Sequence, residues 1–420
     1  MKIGKNISFY EGVFSSIAGA GPLVNFAILI SYAYIYAGNF MFISFSFAFL
    51  LYIFFMNTIY QLSKNKVGSG VYYLFLKDHG FLKNFIHIYF IYVFSSFVSI
   101  LLFLNFIFVP LIFNVPIIFS YLTLFSIIII IMILIRYGFR SSLLYISIGS
   151  LLEILFILIF SLFLILHVNY INLKYPSFFD PEGIFIGSLF SVLVFAGIGS
   201  TVSFGDVIKN PYVNVKKSIF TSTMIEGTVF IFASLAVSLF LLSENIFILP
   251  KMNIPIWGLV GKFRIFFIPF SILLLNSFFS ILVIYGISLS RTFHRTYEKN
   301  ISYEKSLYIS FLIIFLLILF FIFSFGPING FLLATSIATF NWLIFHDSLN
   351  LILIKRFYLE KKNILKNLLL PALAIIFSAL IFYYMLISLT FPFYLAPIST
   401  LILFLIYFLF KIFSKISKNY

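Results

Sequence analysis

The chain has 420 residues, 63% of them hydrophobic and only 9% charged, with a net charge of +15. A soluble domain carries roughly 25% charged residues to solvate its surface, so this composition excludes a water-soluble globular protein and leaves an integral membrane protein. The absence of cysteine from the sequence excludes disulfides and thiolate metal sites.

A bilayer core takes about 20 apolar residues per helical crossing, and twelve such spans are predicted in chain order. Runs such as "SIIIIIMILI" (Ser126 to Ile135) lack the apolar–polar alternation of barrel strands, so the spans are helical. Span 1, residues 10–36, carries "AGAGP" (Ala18 to Pro22) in its middle, where glycine and proline weaken a helix. Its "SIAGA" has the small residues of a signal-peptidase site. The segment before it is too polar and the one after too apolar, so no cleaved signal is read. Span 2 covers 40–62. Spans 3 and 4, at 84–108 and 117–135, are divided at Pro110 and "NVP" (Asn114 to Pro116). Span 5, 142–166, holds Glu153, the one acid well inside a predicted span. Span 6, 184–205, holds "FAGIGS" (Phe195 to Ser200), and span 7, 215–242, holds Glu226 near its cytoplasmic end, read as snorkelling or structural. Span 8, 265–290, offers Asn276, Ser277 and Ser280. Spans 9 to 12 lie at 306–325, 330–354, 367–389 and 394–412, with His346 and Asp347 adjacent in span 10.

Lys and Arg in the joints orient the chain. With twelve spans and a cytoplasmic amino terminus, 23 of these residues fall inside and 4 outside. One span more or fewer would scramble that split, so both termini are expected in the cytoplasm. The basic charge is then a topology signal, and no nucleic-acid partner is expected.

The interruptions in spans 1 and 6 lie five spans apart. An unpaired backbone group costs several kcal/mol in the bilayer core, so broken helices survive only against protein or a wet cavity. Paired interruptions in corresponding halves are the sequence mark of inverted-repeat carriers with a midplane site. The competing reading is that the glycines only let helices pack closely. Two interrupted spans in corresponding positions favour the former.

"GVFSSIAGAG" resembles the glycine-rich first helix of the amino acid–polyamine–organocation (APC) transporters. "GSGVYYLFLKDHG" (Gly68 to Gly80), "RYGFRSS" (Arg136 to Ser142) and "SRTFHR" (Ser290 to Arg295) resemble further segments of that family. "FAGIGSTVSFGDVIKNPYVNVKKSI" (Phe195 to Ile219) is similar to its helix 6 and following loop, with Lys209-Asn210-Pro211 the most specific match. The resemblance implies an all-α, LeuT-like membrane fold. In it, inverted five-helix repeats at 1–166 and 167–354 are followed by two peripheral helices and a cytoplasmic tail at 355–420. It also implies a plasma-membrane permease for an amino acid or related small amine, working by alternating access. The substrate's carboxylate would sit near the amides of Gly19, Ala20 and Gly21, and its amino group near the carbonyls of Phe195, Ala196 and Gly197. Gly199 stands where many relatives carry an acid, Phe195 is the one candidate for an aromatic gate, and the loop's paired acids reduce to Asp206. These departures favour a small neutral or apolar substrate.

An acid at the bilayer midplane costs about 2.5–3.5 kcal/mol on insertion scales and is a functional hypothesis by default. Glu153 falls near where some relatives place a proton-coupling lysine, so the coupling ion is expected to be a proton, with sodium or substrate exchange as the alternatives. The competing role for Glu153 is a neutral acid tying helix 5 to its neighbours. Asn276, Ser277 and Ser280 fit either a sodium site or interhelical hydrogen bonds. His346 with Asp347 fits a relay but reads better as a satisfied pair, and Lys209 with Asp206 as an inner-gate or loop contact. His79, His87, His167 and His294 are too scattered for a metal site, and no cofactor is expected. A membrane enzyme would need a nucleophile–base or metal cluster, and a channel a ring of polar residues; neither pattern is present. A nutrient sensor of the same fold stays open.

Overall fold

The structure, a computed structural model, describes residues 7–137, 139–170, 180–203, 205–244, 255–387, 391, 394–403 and 405. Within these residues everything regular is helical, apart from an isolated parallel bridge between Ile7 and Ile208.

The first span is two helices, α1 (Phe9–Ala20) and α2 (Pro22–Ala37). Ser8 starts α1 with a capping box: its hydroxyl accepts from the Glu11 amide at 3.3 Å, and the Glu11 carboxylate accepts from the Ser8 amide at 2.6 Å. Gly21 ends it in the left-handed region, φ 70° and ψ 70°, which favours glycine, and Pro22 opens α2 where no amide is needed. After a 3₁₀ turn at Gly38–Phe40, α3 (Met41–Leu62) returns across the membrane. Short α4 (Val71–Leu76) lies in the next joint, and α5 (Ile86–Phe103) follows. A π turn at Leu104–Phe108 carries α5 into α6 (Val109–Phe113). The third and fourth spans therefore separate at Asn114, left-handed at φ 47°, and not at Pro110. Pro110 lies within this continuous run, directly after the π turn, where the wider turn accommodates a residue without an amide.

Next come α7 (Ile117–Tyr137), α8 (Phe139–Leu166) and α9 (Pro181–Leu193). Beyond Leu193 the sixth span stops being α-helical: residues 194–197 form turns and Ile198–Ser203 a 3₁₀ helix. Then follow α10 (Pro211–Glu244), α11 (Pro255–Lys262), α12 (Arg264–Thr296), α13 (Tyr303–Phe325) and α14 (Pro327–Glu360). A π turn at Leu365–Leu369 leads into α15 (Leu370–Ile387). Residues 395–403 are helical again, and the remainder of predicted span 12 lies largely outside the described residues.

Ten helical segments among the described residues are long and apolar enough to cross a membrane. The first of them, Phe9–Leu62, has 54 residues and contains two predicted spans. At 1.5 Å per residue it is about 80 Å long, far beyond one crossing, and it doubles back at Gly38–Phe40. Burial separates centre from periphery. α2 and α5 bury most of their residues, and α1 and α9 about two thirds, glycines and serines included. α7 instead exposes Ile118, Leu122, Phe125, Ile130 and Ile133, and α15 exposes Leu373, Ile376 and Leu380. Such apolar belts suit lipid contact. Serine and threonine hydroxyls knit the interior: Ser150 donates to the Phe14 carbonyl at 2.8 Å and Ser44 to the Ile184 carbonyl at 2.8 Å.

Candidate functional site

The two breaks touch. A Cβ on Gly19 would press on the Gly197 carbonyl oxygen, and one on Gly197 would overlap the carbonyl of Gly19. Only glycine lets the two backbones approach this closely. Asn25, one turn into α2, donates from Nδ2 to the Ala20 carbonyl at 2.7 Å and the Val194 carbonyl at 3.1 Å, joining the two broken ends. The Ser16 and Thr201 hydroxyls are hydrogen-bonded below the contact, and Tyr92 and Tyr72 donate to the carbonyls of Ala196 at 2.9 Å and Gly199 at 3.0 Å.

The backbone groups near the break are distributed by helix polarity. Gly19 and Ala20 form the last turn of α1, where amides are engaged within the helix and carbonyls lack helical partners; that of Ala20 is the one Asn25 caps. The Gly21 amide is taken too, donating to the carbonyls of Ala18 at 3.1 Å and Ile17 at 3.2 Å. The donors a half-helix start presents are instead Leu23 and Val24. Leu23 donates to Glu153 Oε2 at 3.3 Å and Val24 to Ser277 Oγ at 3.2 Å. Of the three carbonyls singled out for an amino group, that of Phe195 accepts from the Ile198 amide, that of Ala196 from Tyr92, and that of Gly197 from the Ser200 amide. Each keeps a second lone pair. The Phe195 ring turns away from the contact to stack on Tyr52, centroids 5.1 Å apart, and Tyr52 stacks in turn on Trp342.

Glu153 on α8 is fully buried, and Asn276 Nδ2 donates to its Oε1 at 2.8 Å. Gly149, one turn earlier, supplies the space: a Cβ there would collide with the Asn276 amide. One carboxyl group thus links α8, the start of α2 and α12. Asn276 and Ser277 are both bound in this way, while the buried Ser280 hydroxyl has no hydrogen-bond partner among the described residues.

Glu226 does not snorkel. It is fully buried on α10, and neither carboxylate oxygen has a hydrogen-bond partner among the described residues. Glu153 and Tyr52 lie within electrostatic reach of it. An acid inside an otherwise apolar span was the available signal, but sequence position alone did not show that it faces the interior of the bundle. His346 and Asp347 diverge. His346 Nδ1–H donates to the Trp342 carbonyl at 2.9 Å, and Asp347 accepts from Ser378 at 3.2 Å and Asn350 at 3.4 Å. Asp206 pairs with Arg291 at 2.8 Å and not with Lys209, whose amide donates to the Ile7 carbonyl at 2.9 Å.

Two cavities flank the contact. One, of about 50 Å³, is lined by Val24, Asn25, Ile28, Ser96, Ser99, Tyr285 and Thr335 among others. The other, of about 10 Å³, lies among Tyr72, Tyr89, Tyr92, Ala196, Tyr285 and His346. Among the described residues no acidic, lysine or arginine side chain lines either, so their chemistry is apolar surface with hydroxyls, amides and the His346 imidazole.

No protein-family model matches the chain, and no curated protein sequence does. Solved structures do. MhsT, in complex with L-phenylalanine, aligns with a TM-score of 0.63 at 14% identity, over 89% of this chain and 98% of that one. The Eremococcus coleocola manganese transporter, in complex with an aromatic bis-isothiourea substituted compound, aligns with a TM-score of 0.56 at 11% identity, over 96% and 94%. Likeness over the whole length at so low an identity is a likeness of backbone architecture: the chain has the LeuT-like fold of these structures.

Proposed function

We propose that the protein is a secondary transporter of the cell membrane. It moves a small neutral amino acid or related amine by alternating access around the contact of the two broken spans. The reading includes twelve spans, inverted repeats at 1–166 and 167–354, peripheral helices beyond 355, and both termini in the cytoplasm. The observation that carries it is the apposition of Gly19 and Gly197, two broken helix ends buried at mid-bundle with cavities on either side. Broken helices persist in a membrane where they line a binding cavity. Gly19, Ala20, Gly21, Phe195, Ala196, Gly197 and Gly199 form the substrate region. The uncharged cavity walls favour a solute whose charges are met by backbone dipoles and hydroxyls. MhsT's complex with L-phenylalanine supports an amino-acid class.

Glu153 is the proposed coupling group. Losing or gaining a proton there changes what the Leu23 amide and Asn276 are bonded to, and so biases the angle between the broken span and α12. Sodium coupling is the second reading, favoured by the buried Ser280 hydroxyl of α12, which has no hydrogen-bond partner among the described residues.

Uptake of a radiolabelled amino-acid panel into proteoliposomes, under a proton gradient, a sodium gradient or neither, tests both. Saturable uptake driven by the proton gradient is expected, with that dependence lost in Glu153→Gln. Uptake driven only by sodium would overturn proton coupling, and no uptake of any label by folded protein would overturn the amino-acid reading.

A further inference from the structure

A roomier cavity lies away from the broken spans. It is a groove of about 460 Å³ between α3, the start of α10 and the π turn before α15. Its floor is apolar, with Ile53 and Met56 on one side and Phe220 and Met224 on the other. Its rim is basic. Lys217 and Lys366 line it directly, and Lys64 and Lys216 both stand over the ring of Tyr60, each 5.5 Å from the centroid.

The rim is held in place. Asn57 donates to the Lys366 carbonyl at 2.6 Å, Gln61 to Asn57 Oδ1 at 3.4 Å, and Lys64 to Gln61 Oε1 at 2.7 Å, a chain that fixes the π turn against α3. Among the described residues no carboxylate forms an ion pair with Lys64, Lys216, Lys217 or Lys366. The nearby Arg356 is paired with Glu360 at 2.7 Å. Lys64 is pushed below its ordinary pKa by partial burial and then by the positive charges of Lys366, Lys216 and Arg356. Four gathered cations with no counter-charge are electrostatically unfavourable unless an anion joins them.

We propose that this groove binds an anionic glycerophospholipid of the cytoplasmic leaflet, its phosphate among the four lysines and an acyl chain along the apolar floor. Charge complementarity selects the headgroup. The apolar floor selects a lipid over a free phosphate ion, which would leave that surface against water. The rim lies at the end of the bundle where Lys and Arg concentrate, the side that this bias assigns to the cytoplasm. Because the groove joins α3 and α10 to the π turn before α15, a bound lipid would hold the peripheral helix against the bundle.

The test is native mass spectrometry of the full chain in detergent, titrated with dioleoylphosphatidylglycerol, dioleoylphosphatidylcholine or inorganic phosphate. Saturable phosphatidylglycerol binding at least tenfold tighter than phosphatidylcholine is expected, without competition from phosphate. Removing two lysines in Lys217→Gln/Lys366→Gln should weaken phosphatidylglycerol roughly 20- to 30-fold, leaving phosphatidylcholine unchanged. Thr221→Trp, which fills the trough without touching charge, should weaken both lipids. Equal binding of the two lipids, or an unaffected double variant, would overturn the proposal. Competition by inorganic phosphate at equal affinity would reassign the site to a free anion and overturn it as well.

Discussion

Gly197 has no room for a side chain because the carbonyl of Gly19 occupies the space a Cβ would take. That carbonyl and the Ala20 nitrogen beside it are backbone, so neither can swing aside. Gly197→Ala should therefore lower stability by about 1–3 kcal/mol or more, as overpacking does. Gly261 in α11 has open space for 4 Å around the position a Cβ would take, and no left-handed backbone. Gly261→Ala should therefore be neutral or stabilising by up to about 1 kcal/mol. Thermal melts of the two purified variants compare these outcomes; equal midpoints would remove the close-contact argument. Both glycines of the contact are legible in the sequence as helix breakers, but nothing local says that they meet. The same limit applies to Glu153. Its burial could be anticipated from its position in an apolar run, whereas its partners Leu23 and Asn276 lie 130 and 123 positions away.

The broken span is held as a unit by side chains that reach from one element to another. Asn25 is the clearest, since its one amide group satisfies a carbonyl from each break. Asn25→Ala should leave two buried carbonyls without that donor, at a cost of about 1–3 kcal/mol. Uptake should fall by more than the loss of folded protein accounts for. Uptake that tracks folded protein would reduce Asn25 to a packing residue. The long spans are legible at this scale because apolar length is a local property. The short helices are not. Residues 71–76 and 255–262 fall in joints between predicted spans, yet form α4 and α11, too brief for a hydrophobic run to announce them. α11 is fixed by tertiary contacts: the Ile256 amide donates to Ser31 Oγ at 3.1 Å, and Trp257 packs edge-on to Phe108 and Phe267. These two helices follow the second and seventh spans, the same five-span interval that separates the breaks.

At the scale of the whole molecule, contacts among the described residues close the basic end. Ile7 bridges Ile208, Arg291 pairs with Asp206, and the Gly70 amide donates to the Ser203 carbonyl at 3.3 Å. If access alternates, this closure must open in each cycle. The absence of native cysteine makes a clean test available. Paired bridge residues lie about 4.8 Å apart, within disulfide range. Ile7→Cys/Ile208→Cys should therefore cross-link on oxidation, abolish uptake, and recover it on reduction. Full uptake in the cross-linked protein would show that this end need not open.

Composition, the spacing of apolar runs and the placement of Lys and Arg determined that this is a helical membrane protein, where most spans lie and which two are broken. Each of those follows from how a segment of about 20 residues meets lipid, whatever the rest of the chain does. The tertiary structure alone decided that the breaks face each other, that Glu153 closes on the start of α2, that Glu226 is buried, and that Lys217 and Lys366 share one groove. Those are contacts between residues more than a hundred positions apart. Hydrophobic pattern fixes which residues must leave water, and leaves their partners to packing.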